Sequence, residues 1–435
     1  MKRVVRGCIT TKNKTVKKLL TLFGPGFITG AADNDPSGIG TYAQAGALFG
    51  YKQLWLAPFS FPFMVILQEM CGRIGLVTGS GLAGVIKKNY SHVVLYGAVL
   101  LLAIVNTINI GADLSAMAAA ARLLIPLPYY TILIGLTVGT VAFEVFIPYR
   151  YYVTYLKYLA FSLFAYVGVI FMVEQDWSAI FWATVIPSFS FSKEYIMNVV
   201  AVLGTTISPY LFFWQASHQV EEVISSERIA RMGQGKPKIN GDDIHAMQGD
   251  TLFGMFFSNL IMFFIILTVA STLHRAGITS IESSAQAAEA LRPLAGEWAS
   301  LLFALGIVGT GLLAVPILAG SVAYAVAEIF GWREGLSLTL REAPGFYGVI
   351  MIITVAGFFV DLTTIAPFKM LYYAAVLNGI VTPPLIFLLL FIANNKKIMG
   401  KYTNSAVSNF FGVTVGVLMT GAVGALVWTL LIEHA

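Results

Sequence analysis

Two aspartates, Asp33 and Asp35, stand two residues apart in a stretch that is otherwise apolar. Around them the chain reads Gly24-Pro25-Gly26 and then Asp33-Asn34-Asp35-Pro36-Ser37-Gly38. A second apolar stretch is interrupted at Gly204-Thr205-Thr206-Ile207-Ser208-Pro209. Proline removes a backbone donor and clashes with the turn before it, and glycine adds freedom, so both segments are predicted to unwind. A carboxylate deep in hydrocarbon costs at least ~2.5–3.5 kcal/mol, so it must meet a cation, a partner or a proton. No Lys or Arg lies in the middle of any apolar segment to pair with these two. A bound cation is the simplest answer. Asp35, with Asp33 beside it, supplies charge. The carbonyls near Ala32 and Thr205 and the hydroxyls of Ser37, Thr206 and Ser208 add neutral oxygens. Such an all-oxygen set suits a hard divalent ion. The competing reading is two proline kinks without a ligand, and the acidic pair argues against it.

Other polar residues fall inside apolar segments: Gln68 and Glu69, then Asn106, Asn109 and Asp113, then Asn378. Each either lines an aqueous path or makes a hydrogen bond between helices. Glu69 and Asp113 are read as pathway residues. Glu144 and Glu328 fall near helix ends and are expected at the membrane interface. Tyr210 and Trp214, at helical spacing beside the second break, are read as packing. The two cysteines, Cys8 and Cys71, read as unpaired thiols, and the five histidines show no ligand spacing. No nucleophile–base pair or cofactor loop is evident, so neither an enzyme nor a cofactor is expected.

The elements that must position these groups are transmembrane helices. The chain of 435 residues is 57% hydrophobic and 11% charged, against roughly 25% charged in an average soluble domain. Its mean hydropathy is +0.78. Apolar blocks about 20 residues long, the length that crosses the hydrocarbon, recur along it. Spans are predicted near residues 21–48, 52–78, 93–124, 128–148, 151–174, 195–220, 248–273, 299–330, 346–364, 367–393 and 409–432. No cleavable signal peptide is read at the start. Lys and Arg sort by side. The N-terminal tail, alternate loops and Arg73 hold 21 of the 27, leaving Lys52, Arg122, Lys193, Arg275, Arg292 and Lys369 opposite. The positive-inside rule therefore predicts a multi-pass protein of an inner or plasma membrane, N-terminus cytoplasmic and C-terminus outside. Because the basic residues sort this way, the net charge of +5 is not a nucleic-acid signal. The bilayer and a small cation are the partners expected, with no obligatory protein partner evident. A solvated helix and loop are predicted inside near 219–249, and a short surface helix outside near 274–298. The two breaks lie in spans one and six, the separation that two five-helix repeats would give. Interrupted helices at matching places in two halves point to a transporter's binding site.

The motifs are also familiar. Gly24-Pro25-Gly26-Phe27 with Asp35-Pro36-Ser37-Gly38 resembles the first helix of the Nramp family of divalent-metal transporters. Leu67-Gln68 with Arg73-Ile74-Gly75-Leu76-Val77-Thr78-Gly79 resembles its second helix, and Ala112-Asp113-Leu114 a stretch of its third. Gly204 to Pro209 falls where the family breaks its sixth. The resemblance covers nearly the whole chain. It implies an all-α fold of about eleven helices, with a LeuT-type inverted 5+5 repeat and helices one and six broken. The parts would be a basic tail at 1–20, a first repeat at 21–174, a second at 175–393 with the inner loop 219–249, and a loop and eleventh helix at 394–435. Carried over by position, the metal site would use Asp35, Gly38, Ser208 and the carbonyls of Ala32 and Thr205.

The departures from the family pattern can be read physically. Gly38 stands where the family has an Asn ligand, and Ser208 where it has a thioether. Gln215 and Ala116 replace a family histidine and glutamate, and Tyr210 replaces a second histidine. A thioether is soft and favours transition metals, so a hydroxyl removes that discrimination. Small residues widen the site, which suits Mg²⁺ with its retained waters. The pattern resembles the Nramp-related magnesium-transporter branch. It implies secondary transport of Mg²⁺, and also Mn²⁺, as substrates and not cofactors. Loss of the titratable relay predicts transport without a coupled proton. The alternatives are a proton-coupled Mn²⁺/Fe²⁺ importer using Asp113 or Glu69 and, further off, an amino-acid carrier on the same fold.

Overall fold

The computed structural model describes residues 25–147, 161–363 and 365–433. The basic tail, Cys8, Gly24, Arg150, Lys157, His434 and the first part of the fifth span fall outside the described residues. Among the described residues every regular element is helical. The first span is two helices, α1 (Pro25–Ala32) and α2 (Pro36–Phe49). The second is α3 (Leu56–Thr78), followed by the short α4 (Leu82–Asn89). The third and fourth are α5 (His92–Ala121) and α6 (Tyr129–Phe146). The described part of the fifth holds α7 (Phe164–Ile170), and α8 (Trp177–Val185) lies in the connection after it. The sixth span is again two helices, α9 (Lys193–Thr206) and α10 (Pro209–Ser225). Then come α11 (Gly241–Val269), the short α12 (Ser284–Glu289) where an outer surface helix is predicted, and α13 (Ala299–Phe330). The last three are α14 (Pro344–Val360), α15 (Pro367–Asn394) and α16 (Ala406–Glu433). Among the described residues eight helices, counting α9 with α10 as one, are long and apolar enough to cross a membrane, and α14 is a shorter apolar helix.

Each break has a local cause. Pro36 and Pro209 are the first residues of α2 and α10. There a missing N–H costs nothing, but neither residue can continue a helix from the preceding segment. Asp35 and Ser208 are the N-cap residues, both with extended backbone. The inner connection is helical at both ends. There Asn240 and Asp243 cap α11 reciprocally, and Arg228 pairs with Asp243 at 2.7 Å.

The broken helices are held inside the bundle by close backbone approach. A Cβ at Gly30 of α1 would lie 2.1 Å from the Gly254 carbonyl oxygen of α11, and one at Gly204 of α9 would lie 2.3 Å from the Gly379 nitrogen of α15. Only glycine permits either contact. By contrast, α14 and α16 expose large apolar side chains such as Ile352, Phe359, Phe410 and Val417 on their outer faces. That distribution suits helices that face lipid, whose own backbone bonds are satisfied internally.

Candidate metal site between two helix breaks

Asp35 terminates the break between α1 and α2 and is buried. One carboxylate oxygen accepts from the Gly38 N–H at 2.7 Å and from the Ser37 hydroxyl at 2.6 Å. The first is an N-cap, worth about 1 kcal/mol to the helix. The other oxygen faces α5, where the Asn109 amide lies 3.4 Å away. Asp113, one turn further along α5, is fully buried, and no side chain donates a hydrogen bond to either of its carboxylate oxygens. Its charge acts on that of Asp35. Asp33 turns to the other side. One of its oxygens accepts from the Ser258 hydroxyl of α11, and the second has no partner. Among the described residues no Lys or Arg pairs with any of the three. A buried charge left in this way is costly, so these carboxyls call for a proton, a partner or a cation.

The second break faces the first. The hydroxyls of Ser37 and Thr205 lie 3.4 Å apart. A Cβ at Gly38 would stand 3.4 Å from both the Asp35 carboxylate and the Thr205 hydroxyl, so any larger side chain at position 38 would project into this gap. The Ser208 side chain makes no capping hydrogen bond to α10. Its hydroxyl donates back to the carbonyls of Gly204 and Thr205, at 2.8 and 2.7 Å. Thr206 points away, bonding the Val202 carbonyl and the Tyr42 hydroxyl. The Ala32 carbonyl, at the end of α1, accepts from the Tyr210 hydroxyl at 3.1 Å. Tyr210 is therefore a polar member of the site, not the packing residue its spacing suggests. Trp214 does pack, against His218 and Tyr324. Among the described residues no group of three or more His, Cys, Asp or Glu side chains could hold a metal by itself. An ion here would have to draw on carbonyls and hydroxyls as well.

The remaining polar residues divide. Asn378 of α15 is fully buried with both amide atoms unpartnered, and Thr382, one turn on, donates to the Ile207 carbonyl in the second break at 3.1 Å. Asn106 instead ties α5 to α13 through the Leu318 carbonyl and the Ser321 hydroxyl, a structural bond. Gln68 is buried with its side-chain oxygen unpartnered. Glu69 is held in an ion pair with Arg73 at 3.0 Å and by the Gln248 amide at 3.1 Å, not at the break. Glu144 and Glu328, expected near helix ends, are covered by the protein itself, and Glu328 accepts from the Gly84 N–H at the start of α4 at 2.8 Å.

One element escaped the sequence reading. Asp250, Gly254 and Ser258 recur at every fourth position of α11. Asp250 accepts from the Gly26 N–H at the start of α1, Gly254 receives Gly30, and Ser258 holds Asp33. Small and polar residues at i, i+4 and i+8 form one stripe. That spacing was the available signal.

Taken together, these are the features of a polytopic helical membrane protein with two facing helix breaks around buried carboxylates. The profile of the "Natural resistance-associated macrophage protein-like" family, Nramp, matches residues 26–429, and the chain belongs to that family. It is 25% identical over 423 residues to the "Divalent metal cation transporter MntH" of Caldanaerobacter subterraneus, covering 92% of this chain and 91% of that protein. It is 23% identical to the protein of the same name from Burkholderia ambifaria, over 97% of this chain and 92% of that one. Among solved structures it resembles the Eremococcus coleocola manganese transporter, with a TM-score of 0.69 at 15% identity over 96% of this chain and 89% of that one. A more distant likeness is to MHP1, a nucleobase-cation-symport-1 family transporter. There the TM-score is 0.54 and identity 12%, over 93% of this chain and 92% of that one. The all-helical fold with broken first and sixth spans is therefore that of the Nramp transporters.

Proposed function

We propose that this chain carries a divalent metal cation across a membrane through the gap between its two helix breaks, with Asp35 as the principal ligand. The observation that carries the reading is the set of buried carboxylates at the first break, Asp33, Asp35 and Asp113, with no basic residue paired to them among the described residues. The names of the similar proteins, divalent metal cation and manganese transporters, support the substrate class. Ala32 and Thr205 would add carbonyls, and Ser37 and Ser208 hydroxyls. Gly38 leaves room for water. Thr206, bonded to Val202 and Tyr42, would reach the ion only by turning.

Within that class the preferred ion is Mg²⁺, with Mn²⁺ accepted, and no proton is coupled. The donors at the gap are all oxygens, which suits a hard ion that keeps part of its water. Gln215 and Tyr210 leave no histidine beside the break, and histidine is the side chain that titrates near neutrality unaided. Two inverted five-helix repeats, an inside N-terminus and an outside C-terminus complete the reading. The second reading is a proton-coupled Mn²⁺ importer, favoured by the Asp113 carboxylate, which has no side-chain donor. Uptake of Mg²⁺ and Mn²⁺ into proteoliposomes, with a lumenal pH dye and an ionophore control, separates the two. The expected result is metal uptake without acidification and with little change in rate between about pH 6 and 8, the range in which an unshifted histidine would titrate. Metal-dependent acidification that disappears in Asp113→Asn would favour the second.

A further inference from the structure

Tyr210 occupies the second residue of α10, directly after Pro209, and is fully buried. Its hydroxyl donates to the Ala32 carbonyl of α1 at 3.1 Å. That carbonyl is one of the last in its helix and has no intrahelical donor to satisfy it. The phenol therefore spans the two breaks and sits on an oxygen that an ion in the gap would use. The same hydroxyl also reaches the Asp35 carboxylate as a hydrogen-bond donor, and it lies within electrostatic reach of Asp33, Asp113 and Tyr42. Around it the hydrogen bonds are unevenly filled. Asp35 already accepts from Ser37, Gly38 and Asn109, whereas Asp113 and one oxygen of Asp33 have no side-chain donor.

We infer that Tyr210 is a specificity-determining residue that holds a water of the bound ion. The inference rests on the proposed reading that the ion sits between the breaks. With no ion bound, the phenolic proton belongs to the Ala32 carbonyl. A cation drawn to that carbonyl repels the proton, and the hydroxyl rotates. The Asp35 carboxylate, which the hydroxyl already reaches, takes the proton. The phenolic oxygen then turns its lone pairs inward, where only a donor can satisfy them. A water on a divalent cation is such a donor, because the ion polarises its O–H bonds. Tyr210 thus rewards an ion that arrives with water attached and gives nothing to one that binds dry. Mg²⁺ sheds water reluctantly, so its binding gains most from this contact.

The test compares KM and maximal rate for Mg²⁺ and Mn²⁺ uptake in proteoliposomes holding the wild type, Tyr210→Phe and Asp35→Ala. Phe keeps the ring and removes only the hydroxyl, and folding is checked by size exclusion and Tm. In Tyr210→Phe the KM for Mg²⁺ is expected to rise about tenfold, the loss of one hydrogen bond to a charged centre. The KM for Mn²⁺ is expected to change less than about twofold, and the maximal rates to stay similar. A purely structural role would lower both maximal rates together and leave the KM ratio unchanged, and that result overturns the inference. If Tyr210→Phe does not fold, Tyr210→Leu, which also lacks the hydroxyl, takes its place. A raised Mg²⁺/Mn²⁺ KM ratio there supports the inference, and an unchanged ratio overturns it. Asp35→Ala separates the two claims. Undiminished uptake of both ions there overturns the site itself. Lost uptake there, with an unchanged ratio in Tyr210→Phe, overturns only the role of Tyr210.

Discussion

The two helix breaks are built from the same backbone device and finished with opposite chemistry. At each, proline opens a new helix and the residue before it is the N-cap. At the first break that residue is an acid, and it accepts the N–H of the helix it begins. At the second it is a serine, and its hydroxyl donates backward to the carbonyls of the helix that has ended. The first break thus concentrates negative charge, and the second presents neutral oxygens that are already partly satisfied. An ion between them would gain Coulomb energy from one side and solvation from the other. The comparison implies a division of labour. The first break should decide whether a divalent ion binds, and the second which ion.

The largest effect is therefore expected at Asp35. Asp35→Ala should abolish metal uptake while leaving a folded, detergent-stable protein, because the lost N-cap costs only about 1 kcal/mol. Retained uptake with normal kinetics would remove the asymmetry between the breaks. Ser208→Met should act more gently and in another way. A thioether in the gap introduces a soft donor and narrows the space. Calorimetry should show weaker Mg²⁺ binding and stronger Cd²⁺ or Mn²⁺ binding. An unchanged preference would mean that the second break does not set selectivity.

The smallest effect is expected away from both breaks, at Glu334. This residue lines a cavity of about 440 Å³ with Glu221, Glu328, Lys87 and Lys88, at the end the sequence assigns to the cytoplasm. Burial, with the charges of Glu328 and Glu221, pushes its carboxyl well above the usual range. A carboxyl raised in the folded state favours folding when protonated. Its contribution is therefore present at pH below about 4.5 and is lost as pH rises. Glu334→Gln should raise Tm by a few degrees at neutral pH and make no difference in acid, with the metal preference unchanged. A shift in metal preference would extend the selectivity determinants beyond the breaks.

Sequence reasoning located both breaks because proline and glycine act through the backbone, independently of the rest of the fold. Asp35 stood out for the same local reason, as an acid adjoining a helix start in an apolar segment. What a side chain faces depends on neighbours distant in sequence, and there the reading was weaker. Tyr210 looked like packing because an aromatic beside tryptophan gives no hint that its hydroxyl meets Ala32. Glu69 was read as a pathway residue, and its pairing with Arg73, four residues later on one helix face, was legible in the same spacing but not drawn from it. The stripe of Asp250, Gly254 and Ser258 lies in a helix apolar enough to read as an ordinary span. It acquires meaning only when Gly30 and Asp33 are seen against it. Asp33 itself was legible as a buried charge, but its turn toward Ser258, away from Asn109 and Asp113, was not.

The most direct test is to locate the ion. Crystals of the protein grown with Mn²⁺, with data collected at the manganese absorption edge, would reveal its position as an anomalous peak. The peak is expected between the breaks, in coordination contact with the Asp35 carboxylate and with at least one of the Ala32 and Thr205 carbonyls. It should be absent from crystals of Asp35→Ala. A peak elsewhere, with the Asp35 carboxylate still bonded only to Ser37, Gly38, Asn109 and Tyr210, would contradict the account.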